Sequence, residues 1–293
     1  MSFWMKVNYL ISMPASIMFI LNSKSIHPSY KMNFLKKLFI GLKMFRNSIM
    51  IKTGTSYKAH LVMALKLLEI SPEIKGDVIE CGCWKGGSSA NLSLICRIVG
   101  RKLRIYDSFE GLPEGKEGDR EAKAYKKGDY SGALEEVKSN IKKYGAIEQC
   151  EFIKGWFNKT LPELKSKNPI VLAFIDVDLE DSLNTCVKYI WPYLTPKGYL
   201  FTDECVGTDY VALFYSEKWW KKQFNKNPPG LIGAGTGLVL GEYYIGPWSE
   251  NKDHPLQHAG TGAYTRKDFS GFWNYYPDEK EEDKRLKKQK NNS

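Results

Sequence analysis

The 293-residue sequence has a glycine-rich turn, but that turn carries neither the G-x-G-x-x-G fingerprint nor a P-loop. A nicotinamide-dependent oxidoreductase on an open α/β sheet would want the first, and the phosphate-gripping lysine of the second is missing too. Six cysteines, at 81, 83, 96, 150, 186 and 205, include no C-x2-C pair, which argues against a zinc ribbon. They read as small, mostly buried thiols in a reducing compartment, so a cytoplasmic location is expected. The apolar stretch from Tyr9 to Leu21 is 13 residues long and interrupted by Pro14, short of the roughly 20 residues that a spanning helix needs. Histidine is scarce, at four. His254 and His258 are four apart, but Pro255 and Gly260 favour a loop there, so packing or substrate contact outweighs a zinc pair. No internal repeat and no nucleic-acid recognition motif is present.

Charge is not scarce. Lys and Arg number 43 against 33 Asp and Glu, a net +10 with a pI of about 9.1. Such an excess suits nucleic acid, an anionic membrane surface or an acidic ligand. Much of it lies in the flanks "KMNFLKKLFIGLKMFRNS" and "KRLKKQKNN", and without a recognition motif nucleic acid is not expected as a partner. Residues 1–60 read as an N-terminal helical extension that packs on the core or on a second subunit. A homo-oligomer is expected, with peripheral membrane contact as the second reading of that segment. Lys6 and "NSKS" would suit a signal peptide, but the basic amphipathic stretch that follows argues against one. Residues 61–275 form the main domain. Its polar, glycine-rich insertion at 110–131 is too long for a plain connection and is either a lid or disordered. Residues 276–293 read as a charged, solvated tail.

Within the main domain the pattern alternates. "SYKAHLVMALKLLEI" has helical periodicity and is closed by Pro72 and Gly76. The strands "DVIECG", "KLRIYDSF", "CEFIKGWF", "IVLAFIDVDL" and "GYLFTDE" are interleaved with helices at Gly87 to Val99, "GALEEVKSNIKKYG" and "SLNTCVKYIWPYL". Gly145 stands where the second of these helices needs a C-cap. "GLIGAGTGLVLGEYYIGPW" reads as closing antiparallel strands. The alternation predicts an α/β fold, a doubly wound, mostly parallel sheet with helices on both faces. Ligands of such sheets bind beyond the carboxyl ends of the strands. Those ends carry Glu80, Asp107, Gly155-Trp156, Asp176 and Asp203-Glu204.

In "ECGCWKGGSS" the glycines permit a sharp turn and close approach to a ligand, and the following helix presents its free N–H groups there. Glu80 before the turn suits an amine or ribose hydroxyls, and Asp107 could accept both hydroxyls of a ribose. Two acids without a phosphate-gripping lysine favour a nucleoside bearing an amino-acid tail, which S-adenosylmethionine is. Each signal alone also has a plainer reading. The turn could be purely structural, Trp156 and Phe157 could pack in the core rather than flank an adenine, and Lys85 could be an exposed loop lysine rather than a contact of the cofactor carboxylate. Trp219-Trp220 and Tyr243-Tyr244 could stack on sugars, although core or interface roles are commoner. Asp176, Asp203 and Glu204 together would make an oxygen-only site suited to Mg2+, or else cap the next helices. With a metal beside the methyl donor, Asp176 would act as general base toward an acceptor hydroxyl.

The segments "GDVIECGCWKGGSS", "YDSFEGLP", "ALEEVKSNIKKYG", "FIKGWFNKTLP", "IDVDLEDS" and "GYLFTDE" resemble, in matching order, the macrocin O-methyltransferase family. The resemblance runs from Thr53 to Cys205. It implies a class I methyltransferase with a seven-stranded sheet, S-adenosylmethionine and Mg2+ as cofactors, and a hydroxylated, sugar-containing small molecule as substrate. The cofactor contacts it implies are Glu80, Cys81, Gly82, Trp84, Lys85 and Gly86 in the first loop, Asp107, Ser108 and Phe109 in the second, and Gly155 and Trp156. Asp176, Asp203 and Glu204 would be the metal ligands, with Asp176 the proton acceptor. The second member of the acidic pair is usually Asp in the family, and here it is Glu204. The flanks differ from the antibiotic-modifying members, so a macrolide acceptor does not carry over.

Overall fold

The run of apolar residues without polar alternation becomes the centre of the fold. In the computed structural model, β4 (Ile170–Ile175) is buried along its whole length, as a strand covered on both faces must be. The structure describes residues 14–21, 25–115, 125–164, 169–204, 208–234, 242–245 and 262–268. β1 (Asp77–Cys81), β2 (Leu103–Asp107) and β3 (Cys150–Lys154) lie to one side of β4, all parallel. β5 (Leu194–Thr202) runs parallel on the other side, followed by antiparallel β8 (Ala263–Arg266) and then β6 (Leu231–Ala234).

The order β3-β2-β1-β4-β5-β8-β6 is the expected seven-stranded sheet. An eighth strand, β7 (Glu242–Ile245), pairs antiparallel with β6 and extends that edge. The closing antiparallel strands read from the sequence are this β6–β7 pair. The direction of winding reverses between β1 and β4, which opens a crevice at their carboxyl ends.

Side chains alternate across the sheet into two apolar layers. Val78, Leu172 and Phe174 join one cluster with α3 (Tyr57–Glu69), α4 (Gly87–Val99) and α5 (Leu134–Tyr144). Ile79, Ala173 and Ile175 join the other with α7 (Glu180–Ile190) and α8 (Glu217–Phe224). Trp220 is fully buried there, its ring 4.7 Å from that of Trp191 and its indole N–H donated to Leu213 O, so it is a core residue. α1 (residues 14–21) and α2 (Phe34–Met50) contribute Phe19, Ile40 and Met44 to the first layer, so the N-terminal helices share the core of the sheet.

A buried polar chain also ties them in. Asn47 donates to Asn91 and to Tyr144 O, and Asn91 donates to Nδ1 of His60. Nδ1 must then accept, so Nε2 carries the proton toward Thr55 Oγ1, 2.5 Å away. Burial pushes the His60 pKa down to about 4, which keeps the ring neutral.

Several local expectations are corrected. β4 ends at Ile175, so Asp176 and Asp178 lie in the turn after it, Asp178 with a left-handed φ of 58°. Trp156 follows β3 as the N-cap of a short helix, α6 (Phe157–Thr160). Gly145 is the C-cap of α5 as expected, with φ −114° and its N–H donated to Ile141 O. No disulfide joins the five described cysteines, and four of them are buried; Cys205 lies outside the described residues, as do His254, His258 and the 276–293 tail. Among the described residues no helix is long and apolar enough to cross a membrane.

Candidate active site

Main-chain bonds between strand ends set the site. Beyond the strands, Gly82 N–H donates to Tyr106 O, Asp176 N–H to Cys81 O, and Asp203 N–H to Ile175 O, so the ladder continues into the loops. Gly82 has φ +82°, and a Cβ on it would fall 1.7 Å from Asp176 O. Only glycine lets the β1–α4 loop lie this close to the β4–α7 turn. Asp107 fastens the same loop from the other side: one carboxylate oxygen accepts Cys83 N–H at 2.8 Å and the other accepts Phe109 N–H at 2.6 Å. Both oxygens retain lone pairs for a further donor. α4 then starts at Gly87, and its N-cap Gly86 leaves the first amides without a side-chain cap.

These elements enclose a cavity of about 260 Å³, near the lower end for small-molecule sites. Of the residues expected from the sequence, Gly82, Trp84, Asp107, Ser108, Gly155, Trp156, Asp176 and Asp203 line it. Phe157 does too. Six expected residues do not. Glu80 is fully buried behind the loop, and neither of its carboxylate oxygens has a hydrogen-bond partner. Burial pushes its pKa up to about 7, against the lowering influence of the Ser88 and Ser89 hydroxyls. Cys81 belongs to the opposite apolar layer together with Cys186. Lys85 is not on the cavity wall, and its ammonium pairs with Glu136 on α5 at 2.7 Å. Gly86 serves as the α4 N-cap. Phe109, buried at φ +57°, packs its ring toward Phe152.

Glu204 is the sixth. One of its oxygens accepts the backbone amides of Val177 (2.5 Å) and Asp178 (2.6 Å), and the other accepts the Thr202 hydroxyl (2.9 Å). The longer side chain has reached back to hold the β4–α7 turn. Among the described residues, no three His, Cys, Asp or Glu side chains stand together as metal ligands. Asp178 stands on the cavity wall beside the two acids Asp176 and Asp203, and Asp203 Oδ1 is buried and unpartnered. Burial, and then repulsion from neighbouring carboxylates, holds both pKa values well above the usual carboxylate range.

The sequence reading missed Thr53, Gly54, Ser88, Tyr125, Tyr130 and Ser182, all of which line the cavity. The two tyrosines come from the described ends of the 110–131 insertion. Tyr130 meets the Trp84 ring edge-on at 5.2 Å, and Lys52 lies 5.0 Å from the centre of that ring. Aromatic residues in an otherwise polar insertion were the available signal. Thr53 bonds Thr55, which connects the cavity wall to the His60 chain beneath it. A second cavity, of about 370 Å³, adjoins the first and shares Pro113, Trp156, Phe157 and Ser182 with it.

Comparison with known proteins follows the same region. The family described as Macrocin-O-methyltransferase (TylF) matches residues 52–226. A tetracenomycin-derivative rhamnosyl 4'-O-methyltransferase of Streptomyces olivaceus is 32% identical over 50% of this chain and 62% of its own length. The demethyldecarbamoylnovobiocin O-methyltransferase of Streptomyces niveus is 30% identical over 50% of this chain and 62% of its own. The chain therefore spans less than two thirds of these curated relatives. The solved structure of the O-methyltransferase NovP superposes with a TM-score of 0.54 at 22% identity, over 72% of this chain and 80% of that one, and so shares the fold.

Proposed function

This chain belongs to the macrocin O-methyltransferase family, and from that premise we propose that it transfers a methyl group from S-adenosylmethionine to a hydroxyl of a sugar-containing small molecule. The observation that carries this reading is the meeting, in one cavity, of the glycine loop and Asp107 with the acids Asp176 and Asp203. One side suits a nucleoside with an amino-acid tail and the other a polar acceptor.

The residues fit the donor. Gly82, Cys83 and Trp84 line the cavity beside Asp107, which has lone pairs left for ribose hydroxyls, and Gly155, Trp156 and Phe157 on its wall would flank a base. Glu80 behind the loop is an orphaned carboxylate that a nearby ammonium would relieve. The two facing acids also fit a divalent cation. Asp176 and Asp203 would hold Mg2+, which when bound neutralises their repulsion and acidifies an acceptor hydroxyl. Glu204 would then shape the site through the turn that it clamps. In this reading the Asp176 carboxylate would accept the proton that the acceptor hydroxyl gives up on methyl transfer. The adjoining cavity, with Trp156, Asn158, Asp181 and Ser182 on its walls, offers an aromatic face and polar groups to the rest of a sugar.

Calorimetric titration with S-adenosylhomocysteine tests the donor, and transfer of a labelled methyl group to glycosides with free hydroxyls tests the reaction. The expected result is donor-product binding, with transfer that is lost in EDTA and restored by Mg2+. Binding of NADH but not of S-adenosylhomocysteine would point to an oxidoreductase instead.

A further inference from the structure

Nine of the eleven large apolar side chains exposed among the described residues lie between Ile17 and Met50. On α2, Leu35 (69% exposed), Phe39 (64%), Leu42 and Ile49 follow one another at spacings of four, three and seven, so they project from one side of the helix. The opposite side, with Ile40, Met44 and Asn47, is the one packed on the core. On α1, Ile17, Met18 and Leu21 are likewise exposed, although Ala15 and Phe19 are buried. A fold with a complete core seldom leaves this much apolar surface in one place without a use for it.

The charge is as unevenly placed as the apolar surface. The first 68 residues contain ten Lys and Arg and no Asp or Glu. The other 225 hold 33 basic and 33 acidic residues, so the entire net charge of +10 resides in this segment. Lys31, Lys36 and Arg46 are exposed on or beside α2. A second copy docked here by two-fold symmetry would set one acid-free basic segment against another. An anionic lipid surface complements both properties: apolar side chains enter the headgroup boundary, and lysines and arginine meet lipid phosphates.

We propose that the exposed faces of α1 and α2 dock this protein on an anionic membrane surface. The attachment is peripheral, since no described helix is able to span. It does not depend on the methyl-transfer reading and is tested without any measurement of activity.

The experiment is co-sedimentation of the full chain with vesicles of phosphatidylcholine alone and of equimolar phosphatidylcholine and phosphatidylglycerol. Partitioning is expected to be roughly tenfold or more stronger on the anionic vesicles and to weaken as added salt screens the charges. The exposed double variants Leu35→Ser/Phe39→Ser and Lys31→Glu/Lys36→Glu should each reduce it severalfold while melting like the parent. Equal partitioning on both vesicle types, or none on either, overturns the proposal. So does a dimer, seen by analytical ultracentrifugation, that dissociates in Leu35→Ser/Phe39→Ser while the vesicles are ignored; the face would then join two copies.

Discussion

Glu204 accepts the backbone amide of Asp178 at 2.6 Å, across 26 residues of sequence, and so binds the end of β5 to the turn after β4. Its neighbour Asp203 faces the cavity. One acidic pair thus divides its work between holding a turn and lining a site. Replacing Glu204 with Ala would strand two backbone amides and the Thr202 hydroxyl, at a cost of about 3 kcal/mol. Glu204→Gln keeps one carbonyl oxygen for the amides and should lose much less. Urea unfolding of both variants checks this. Equal and small losses would mean that the clamp contributes nothing.

Asp176 and Asp203 repel one another across the same cavity, and burial raises both pKa values. Neutralising either one removes a like-charge contact, so Asp176→Asn and Asp203→Asn should each melt above the parent in the absence of metal. Mg2+ should raise the melting temperature of the parent and leave both variants nearly unmoved. Thermal melts with and without Mg2+ read the two effects together. A parent indifferent to Mg2+ would remove the cation from the site.

Much of this arrangement was legible in the sequence because it is local. The uninterrupted apolar run at 170–175 announces a central strand, Gly87 opens a helix where the glycine turn ends, and acids at strand ends fall at the carboxyl edge of a parallel sheet. The turn-forming Gly82 and the facing pair Asp176 and Asp203 are found this way. What stayed hidden depends on contacts between distant segments. Lys85 looks like a loop lysine aimed at a ligand until α5 brings Glu136 to within 2.7 Å of it. Glu204 looks like a third metal ligand until the amides of Val177 and Asp178 turn toward it. Thr53 has no motif to mark it, and reaches the cavity because a buried chain through Thr55 and His60 fixes the N-terminal segment to α4.

Two left-handed glycines separate crowding from backbone strain. Gly82, at φ +82°, has Asp176 O where a Cβ would go; Gly100, at φ +70°, has nothing within 4 Å. Gly100→Ala should cost only the left-handed conformation, about 1 kcal/mol. Gly82→Ala must in addition push the β1–α4 loop off the β4–α7 turn, and should lose S-adenosylhomocysteine binding together with far more stability. Parallel melts and titrations of the two variants decide it. Similar behaviour would show that the loop has room to shift.

Glu80 makes stability depend on pH, and the sign follows from its burial. Its pKa rises from 4.5 to about 7 on folding, so the folded protein binds this proton more tightly than the unfolded chain does. The stabilisation is full below pH 4.5 and is lost as pH rises through 7. Asp176 and Asp203 act in the same direction, so the parent's own pH profile does not isolate Glu80. The difference between the parent and Glu80→Gln does, because glutamine has the shape of the protonated acid and no proton to lose. That difference should grow by about 3 kcal/mol in favour of Glu80→Gln between acid and mildly alkaline pH. Denaturant unfolding of both proteins across that range measures it. A constant difference would mean that Glu80 ionises as readily folded as unfolded, through a partner supplied within the protein.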